Sequence, residues 1–258
     1  MVIGHYNIGV MEGVSVVIPT TGNRQTLIEA IDSVYGQEGT ENVLLEVVIV
    51  NDGDRLDVDL SEYIEKDDFK IIYTGGSKGA NFARNMGVEF STYKWIAFLD
   101  DDDIWHSKKL WYQIKYREEN SLSFCRKMFF TENANHIKRV SKVHSGNLFL
   151  FNYIGSTSSV FLSREKFNQI GGFREDLPAL QDWELYLRLY EAGVQFDYIK
   201  ETHIKYRLSP NGRISTNISK QFRAAVKLIE KDCPRPIFLF GLIFHLCRVT
   251  WNHRFFRF

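Results

Sequence analysis

Residues Lys94–Trp105 read KWIAFLDDDDIW. A run that suits a buried strand passes without a break into four aspartates and then into an apolar pair. Carboxylates packed this closely raise one another's pKa and repel unless a cation stands among them. An acidic run alone reads as a solvated turn, but a buried strand immediately before it makes a binding crevice the better reading. The same strand-then-helix rhythm extends on the N-terminal side. Val14–Ile18 (VSVVI) forms a strand stopped by Pro19, and Leu27, Ala30, Ile31 and Val34 follow at helical spacing. Leu44–Val50 is a second strand, 57–66 a helix, Lys70–Thr74 a third strand, and Ala80–Phe90 the helix that leads into the quoted strand. Such alternation predicts an α/β fold with a mostly parallel sheet and helices on both faces. Beyond Trp105 the pattern is less regular. It predicts strands near Ser123–Thr131 and Ser158–Leu162, a helix from about Asp182 to Ala192, a strand pair around Gln195–Arg207, and a helix from about Thr216 to Lys231. The expected organisation is one domain over 1–232, with a nucleotide-binding half at 14–105 and a more antiparallel half at 106–232, followed by a tail at 233–258.

The 32 Lys and Arg balance the 32 Asp and Glu, so no global field favours nucleic acid and any electrostatic specialisation is local. Cys125, Cys233 and Cys247 are too widely spaced for a disulfide framework or a zinc site, and a reducing cytoplasm is the expected setting. The first residues lack the basic-then-apolar pattern of a secretion signal. The seven histidines have no ligand spacing, so none is assigned to a metal.

In open α/β sheets, ligands bind beyond the carboxyl ends of the strands. Here those ends are Pro19-Thr20-Thr21, Asn51-Asp52-Gly53 and Asp100–Asp103, all polar or acidic after apolar runs. Hard carboxylate oxygens suit Mg²⁺ or Mn²⁺, which also bridge the phosphates of a substrate. The strand ends therefore point to a metal–diphosphate site.

Five blocks share order and spacing with one family: VSVVIPTTGNRQTLIEAIDSVYGQ, VVIVNDGD, GGSKGANFARNMGVEFSTYKWIAFLDDDDIWHSKKL, IGGFRED and LQDWELYLRL. Together they cover roughly Val14 to Leu189, and over that span the chain resembles family 2 of the nucleotide-sugar glycosyltransferases. The resemblance implies a GT-A fold with a smaller mixed acceptor-side half, an activated sugar donor (a UDP-sugar is the expectation), a divalent cation (Mn²⁺ or Mg²⁺), and inversion at the anomeric carbon. It assigns Pro19, Thr20, Asp52, Arg84, Asp100 and Asp101 to the donor site: Thr20 and Asp52 to the donor's base, with the Asp52 carboxylate accepting from the uracil imide, and Arg84 to a position near the base or diphosphate. Asp100-Asp101-Asp102 match the family's D-x-D motif. Asp100 falls on the ribose or the metal shell, Asp102 on the metal itself, and Asp101 on the variable position that points away from the diphosphate. Asp103 matches an extra acid often found there. Direct displacement at an anomeric carbon needs a carboxylate opposite the leaving group to take the acceptor's proton, and the family supplies it from an Glu-Asp pair that here reads Gln181-Asp182. Asp182 keeps the base; Gln181 departs from the usual acid, which bears on the tuning of the base and the choice of acceptor. Gln181, Trp183 and Ser156 fall on the acceptor side, and Arg207 and Arg213 lie in a late loop where they could touch phosphate. The expected acceptor is a saccharide or lipid-linked saccharide in cell-surface polysaccharide synthesis. A non-catalytic nucleotide-sugar-binding or scaffold protein is the alternative, supported in the sequence by Gln181 alone. A nucleotidyltransferase is disfavoured by the lack of a Gly-rich, lysine-bearing phosphate loop after the first strand.

The tail differs in kind. Ile237 to Cys247 is an apolar run, shorter than the ~20 residues a bilayer crossing takes, and Arg248, Arg254 and Arg257 follow among aromatics with no acid. This composition suits a helix lying in the interface of an anionic membrane, at the inner face of the cell membrane. A tail packed on its own domain or on a second copy in a homodimer is the other reading.

Overall fold

The computed structural model describes residues 11–131, 134–140, 147–208, 217–232, 238–239 and 241–247. Its strands are β1 (Met11–Thr20), β2 (Leu45–Asn51), β3 (Phe69–Tyr73), β4 (Tyr93–Phe98), β5 (Ile104–Trp105), β6 (Ser121–Thr131), β7 (Ala134–Val140), β8 (Val160–Ser163) and β9 (Gln195–Arg207). The helices are α1 (Thr26–Tyr35), α2 (Ser61–Ile64), α3 (Ala80–Glu89), α4 (Lys109–Lys115), α5 (Arg164–Gln169), α6 (Gln181–Glu191) and α7 (Ile218–Asp232), with a further helical stretch at 241–247. All strands join one sheet in the order β3-β2-β1-β4-β8-β6-β9-β5, with β7 added to β6. The β3-β2-β1-β4 block is parallel throughout. Beyond it, β8 pairs antiparallel with β4 and β6, and β5 antiparallel with β9, while β6 and β9 run parallel.

Alternation along the central strand divides the core in two. Val14, Val16 and Ile18 face Leu27, Ile31 and Val34 of α1 together with Val47 and Ile49, while Val17 faces the opposite side with Val48, Val50, Ala83 of α3 and Phe98. The first cluster also takes in Phe161 and Ile204, and the second Leu162, Trp183 and Tyr186, so residues on both sides of Trp105 share both cores. Each of these fully buried aliphatic side chains contributes roughly 1.5–3 kcal/mol relative to exposure.

Register sets the height of the strand ends. Thr20 pairs with Asn51 and Val17 with Phe98, and the Leu99 N–H donates to the Val17 carbonyl at 3.0 Å. Thr20, Asp52 and Asp100 thus leave the sheet at one edge. Pro19 does not stop β1 as the sequence suggests; it pairs with Val50 inside the strand. It lies on the side of Val17, which faces β4, and β4 ends at Phe98, so its missing N–H interrupts no ladder bond.

Two other expectations change. The helix over 57–66 is the single turn α2, and the strand pair around Gln195–Arg207 is one continuous strand of 13 residues. The β6 register shifts opposite Cys125–Lys127 absorb an irregularity there, so β9 passes Lys200-Glu201 without turning.

Candidate functional site

The four aspartates after β4 alternate in environment. Asp100 and Asp102 keep 27% and 26% of their side chains exposed, whereas Asp101 keeps 9% and Asp103 is fully buried. The odd pair and the even pair consequently have different partners. The Asp101 carboxylate accepts from the Thr20 hydroxyl at 2.7 Å and from Arg24 Nη1 at 3.0 Å. Asp103 accepts from the Ser158 hydroxyl at 2.7 Å and from the Arg207 backbone N–H at 3.3 Å. Burial pushes the Asp101 carboxyl up to about 6, with Arg24 and Thr20 pulling the other way. Burial, and then the charges of Asp100 and Asp102, drive Asp103 well above the ordinary carboxylate range. The two carboxylates that reach the crevice are tied by arginines: Asp100 to Arg84 Nη2 at 2.6 Å and Asp102 to Arg24 Nη1 at 3.0 Å.

A second layer holds this turn. Ser158, in a 3-10 turn at Thr157–Ser159, accepts from the Asp100 backbone N–H at 3.2 Å, its carbonyl accepts from Trp105 Nε1 at 3.0 Å, and Thr157 donates to Asp100 at 3.3 Å. Arg207 spans Glu29 at 2.8 Å and the Asp102 carbonyl at 3.1 Å. Arg207 therefore clamps the acidic turn, in place of the phosphate contact the sequence suggests. Arg213 lies outside the described residues.

Asp52 stands on the next strand end. Its backbone N–H donates to the Thr20 carbonyl at 2.8 Å. Its carboxylate gathers the loop into α3, accepting from the Thr74 hydroxyl at 2.5 Å, the Lys78 N–H at 2.8 Å and the Gly79 N–H at 2.7 Å. Gly53 allows the close crossing of this loop with the first: a Cβ there would lie 2.0 Å from the Thr21 carbonyl oxygen.

Asp182 approaches from α6. The residue before the helix, Leu180, has φ +61°, a left-handed conformation that costs a non-glycine residue on the order of 1 kcal/mol and collects at functional sites. Asp182 does not cap the helix; it lies in the first turn, where its charge suits the helix dipole. It accepts from the Trp183 N–H at 2.8 Å and from Asn152 Nδ2 at 3.2 Å. Burial raises its pKa, partly offset by the Trp183 N–H and by the positive charges of Lys127 and Arg84. Arg84 thus acts on Asp100 and Asp182 together. It is not an exposed helix arginine: its side chain is 6% exposed, and Nε and Nη1 have no partner. The Tyr186 hydroxyl, one helical turn beyond Asp182, is likewise buried without a partner and feels the charges of Asp182, Arg84 and Asp100. Of the remaining acceptor-side residues, Gln181 is half-buried, Ser156 has a buried hydroxyl without a partner, and Trp183 is buried with its indole N–H on the Leu148 carbonyl at 2.7 Å. Trp183 is thus a packing residue that does not reach the crevice.

Among the described residues, no three acidic, His or Cys side chains converge into a closed metal cage. The donor set is hard oxygen, with Asp100 and Asp102 at the crevice. This fits Mg²⁺ or Mn²⁺ in the mode where one or two carboxylates and substrate phosphates share the ion with water. A groove of about 1050 Å³, lined by Asn85, Glu89, Arg164 and Phe167, lies elsewhere, against α3 and α5. Its lining includes none of Asp52, Asp100–Asp103 or Asp182, so it is not the reacting site. A smaller one of 280 Å³ sits beside the crevice and includes Asn81, Leu177, Gln181 and Lys220.

Sequence reasoning missed Arg24, Ser158, Asn152 and Lys127. The signal for Arg24 was available: a run of four acids demands a cation, and Arg24 follows the first strand end by four residues. Ser158 lies in the Tyr153–Arg164 segment that resembles the family's acceptor-side segment without being singled out there, and Lys127 and Asn152 had no comparable mark. Of the cysteines among the described residues, Cys125 is buried and Cys247 exposed.

Residues 15–174 match the profile of Glycosyl transferase family 2, more than half of the chain, and the protein belongs to that family. A putative teichuronic acid biosynthesis glycosyltransferase of Bacillus subtilis, TuaG, is 27% identical over 92% of both chains. The UDP-Glc:alpha-D-GlcNAc-diphosphoundecaprenol beta-1,3-glucosyltransferase WfaP of Escherichia coli is 26% identical over 82% of this chain and 83% of its own. An uncharacterized glycosyltransferase of Rickettsia bellii is 35% identical over 53% of this chain, which spans 20% of that longer protein. Among solved structures, S. aureus TarS 1-349 in complex with UDP-GlcNAc superposes with TM-score 0.63 at 17% identity, covering 95% of this chain and 73% of its own. The mannosyltransferase PcManGT from Pyrobaculum calidifontis, in complex with GDP-Man and Mn²⁺, gives 0.65 at 16%, covering 93% and 71%. The fold is the GT-A type expected from the sequence.

Proposed function

We propose that this protein is an inverting glycosyltransferase that moves a sugar from a UDP-sugar to a saccharide or lipid-linked saccharide acceptor in cell-surface polysaccharide synthesis. One observation carries the reading: a cluster of acids at the strand ends and a separate, pKa-raised aspartate on α6 share one crevice, with Arg84 between them. TuaG and WfaP support the polysaccharide context, and the donors bound to TarS and PcManGT support the nucleotide-sugar class.

In this proposal Pro19, Thr20 and Asp52 frame the base, Arg84 and Asp100 lie along the ribose and diphosphate, and Asp102 with Asp100 would hold Mn²⁺ or Mg²⁺. The ion when bound would supply positive charge to the departing diphosphate. Asp182 accepts the proton of the acceptor hydroxyl as that oxygen bonds to the anomeric carbon and the glycosyl–phosphate bond breaks, which inverts the centre. Its raised pKa suits a base that must also hold the proton it takes. Gln181, which lines the 280 Å³ pocket, places a neutral amide where the family resemblance implies an acid, and so bears on the choice of acceptor.

The test is a screen of nucleotide sugars with Mn²⁺, reading nucleoside diphosphate release in the presence of saccharide and lipid-linked acceptors. Release from a UDP-sugar that depends on acceptor and metal is the expected result. Tight donor binding with no release from any donor would make the protein a binding module instead.

A further inference from the structure

We infer that α7 and the helical stretch 241–247 form a docking face for an anionic phospholipid surface. The tail does not carry this alone. Phe238 and Leu242 are buried, Phe238 sits edge-on to Trp183 at 5.4 Å, and a Cβ on Gly241 would lie 2.3 Å from the Phe149 carbonyl oxygen. One side of the tail is therefore seated on the domain. The other side is turned outward: Leu239, Ile243 and Phe244 are 37%, 53% and 61% exposed.

Helix α7 continues that face. It buries Gln221, Ala224, Ala225 and Leu228, the single stripe a surface helix needs. It also carries Ile218, Phe222, Val226 and Ile229 at helical spacing on another side, with Phe222 59% and Ile229 41% exposed. A second apolar stripe finds no use in water. His245 Nε2 and Gln221 Oε1, 3.1 Å apart, tie the two helical pieces together, and Phe244 and Phe222 are the chain neighbours of that pair.

Charge selects the occupant. Helix α7 carries Lys220, Arg223, Lys227 and Lys231 against Glu230 and Asp232, in a chain that is neutral overall, and four arginines with no acid follow it in the sequence, outside the described residues; Arg223 is exposed on α7, while Lys227 is turned to Asp176. A second copy would oppose this face with like charge across a two-fold axis. An anionic leaflet meets both its apolar and its basic character. No helix among the described residues is long and apolar enough to cross a membrane, so the face lies on the surface. Trp183, against which Phe238 is seated, directly follows Asp182 in α6, so the docking face lies at the same end of that helix as Asp182. The inference does not depend on the role proposed for Asp182.

The experiment is sedimentation of the full chain with vesicles of phosphatidylcholine alone, or of equal parts phosphatidylcholine and phosphatidylglycerol. Point variants replace truncation, because removing the tail would uncover Trp183. Wild type should partition into the anionic vesicles about tenfold more than into neutral ones, and release near 1 M salt, where charges are screened within about 3 Å. Phe222→Ser with Phe244→Ser, and separately Arg223→Glu, should each lower partitioning several-fold while UDP binding and thermal midpoint stay unchanged. Equal partitioning of wild type and both variants would overturn the proposal. So would a wild-type dimer that the Phe222→Ser, Phe244→Ser variant dissociates, since a second copy would then own the face. UDP binding in the same samples reports the donor site separately, so a failed membrane face and a failed glycosyltransferase reading give different results.

Discussion

The aspartates after β4 and the aspartate on α6 are carboxylates of one crevice held in opposite ways. Asp100–Asp103 take partners from the ends of β1 and β9, from α3, from the loop before α1 and from the 3-10 turn at Thr157–Ser159. Asp182 is held by the N–H of its own neighbour, by Asn152, and by a left-handed residue two positions before it. The acid cluster is fixed by contacts that converge from distant sequence, and removing one leaves the others. The position of Asp182 depends on local backbone geometry, so it is sensitive to the few residues around it. In the proposed reaction this separates binding from chemistry: a rigid platform for the charged donor, and a lone group that changes protonation state each turnover.

Four substitutions probe that separation, in order of expected effect. Asp102→Asn replaces a carboxylate at the crevice by an amide that cannot balance a cation, so transfer should be lost and donor affinity in Mn²⁺ should collapse. Calorimetry showing the same donor affinity with and without metal would exclude Asp102 as a ligand.

Asp101→Asn tests the alternation of environments. The carboxyl of Asp101 is raised to about 6 when folded, against about 3.9 in an unfolded chain. The folded state therefore binds its proton more tightly, and stability from this group falls as pH rises through the window between those values. The amide should be more stable than wild type by about 2–3 kcal/mol above pH ~6, a gain that disappears near pH ~4. Donor affinity should change little. Denaturant titrations across that range give the answer, and a variant less stable at every pH would mean that the Arg24 and Thr20 contacts outweigh burial.

Much of this arrangement was readable in the sequence, and the reason is physical. Strand segments buried on both faces, such as Val16–Ile18 and Val47–Val50, must be continuously apolar, so the polar residues that end them mark the ligand edge. The second half obeys weaker rules. β9 carries Lys200-Glu201 in mid-strand and reads as two strands, because one side of it faces solvent. Lys109 is fully buried, its Nζ bonded to Gln113 Oε1 at 2.6 Å and set 3.7 Å over the Trp105 ring. A lysine gives no sign of such a place in the sequence. Ser158 and Thr157 brace Asp103 and Asp100 across more than fifty positions, and one-dimensional patterns do not register contacts of that range.

Lys127→Met removes a positive charge that favours the ionised form of Asp182. The acid limb of the transfer rate should shift to higher pH, with the rate at high pH reduced only several-fold. A pH profile superimposable on wild type would show that Lys127 does not reach Asp182 electrostatically. Asn152→Ala withdraws one hydrogen bond, 3.2 Å long, from the same carboxylate. It should move the acid limb in the same direction by less. Donor affinity should be unchanged in both, and a loss of donor binding in either would place that residue on the platform side of the comparison.

The most direct measurement is the response of Asp182→Asn in two assays run on one preparation: UDP-sugar binding with Mn²⁺ by calorimetry, and transfer to acceptor by product formation. The account predicts donor affinity within about twofold of wild type and transfer slowed about 10²–10⁴-fold, the range for loss of a positioned base. Transfer at the wild-type rate, or donor binding lost along with it, would contradict the division between the acid platform and the lone carboxylate.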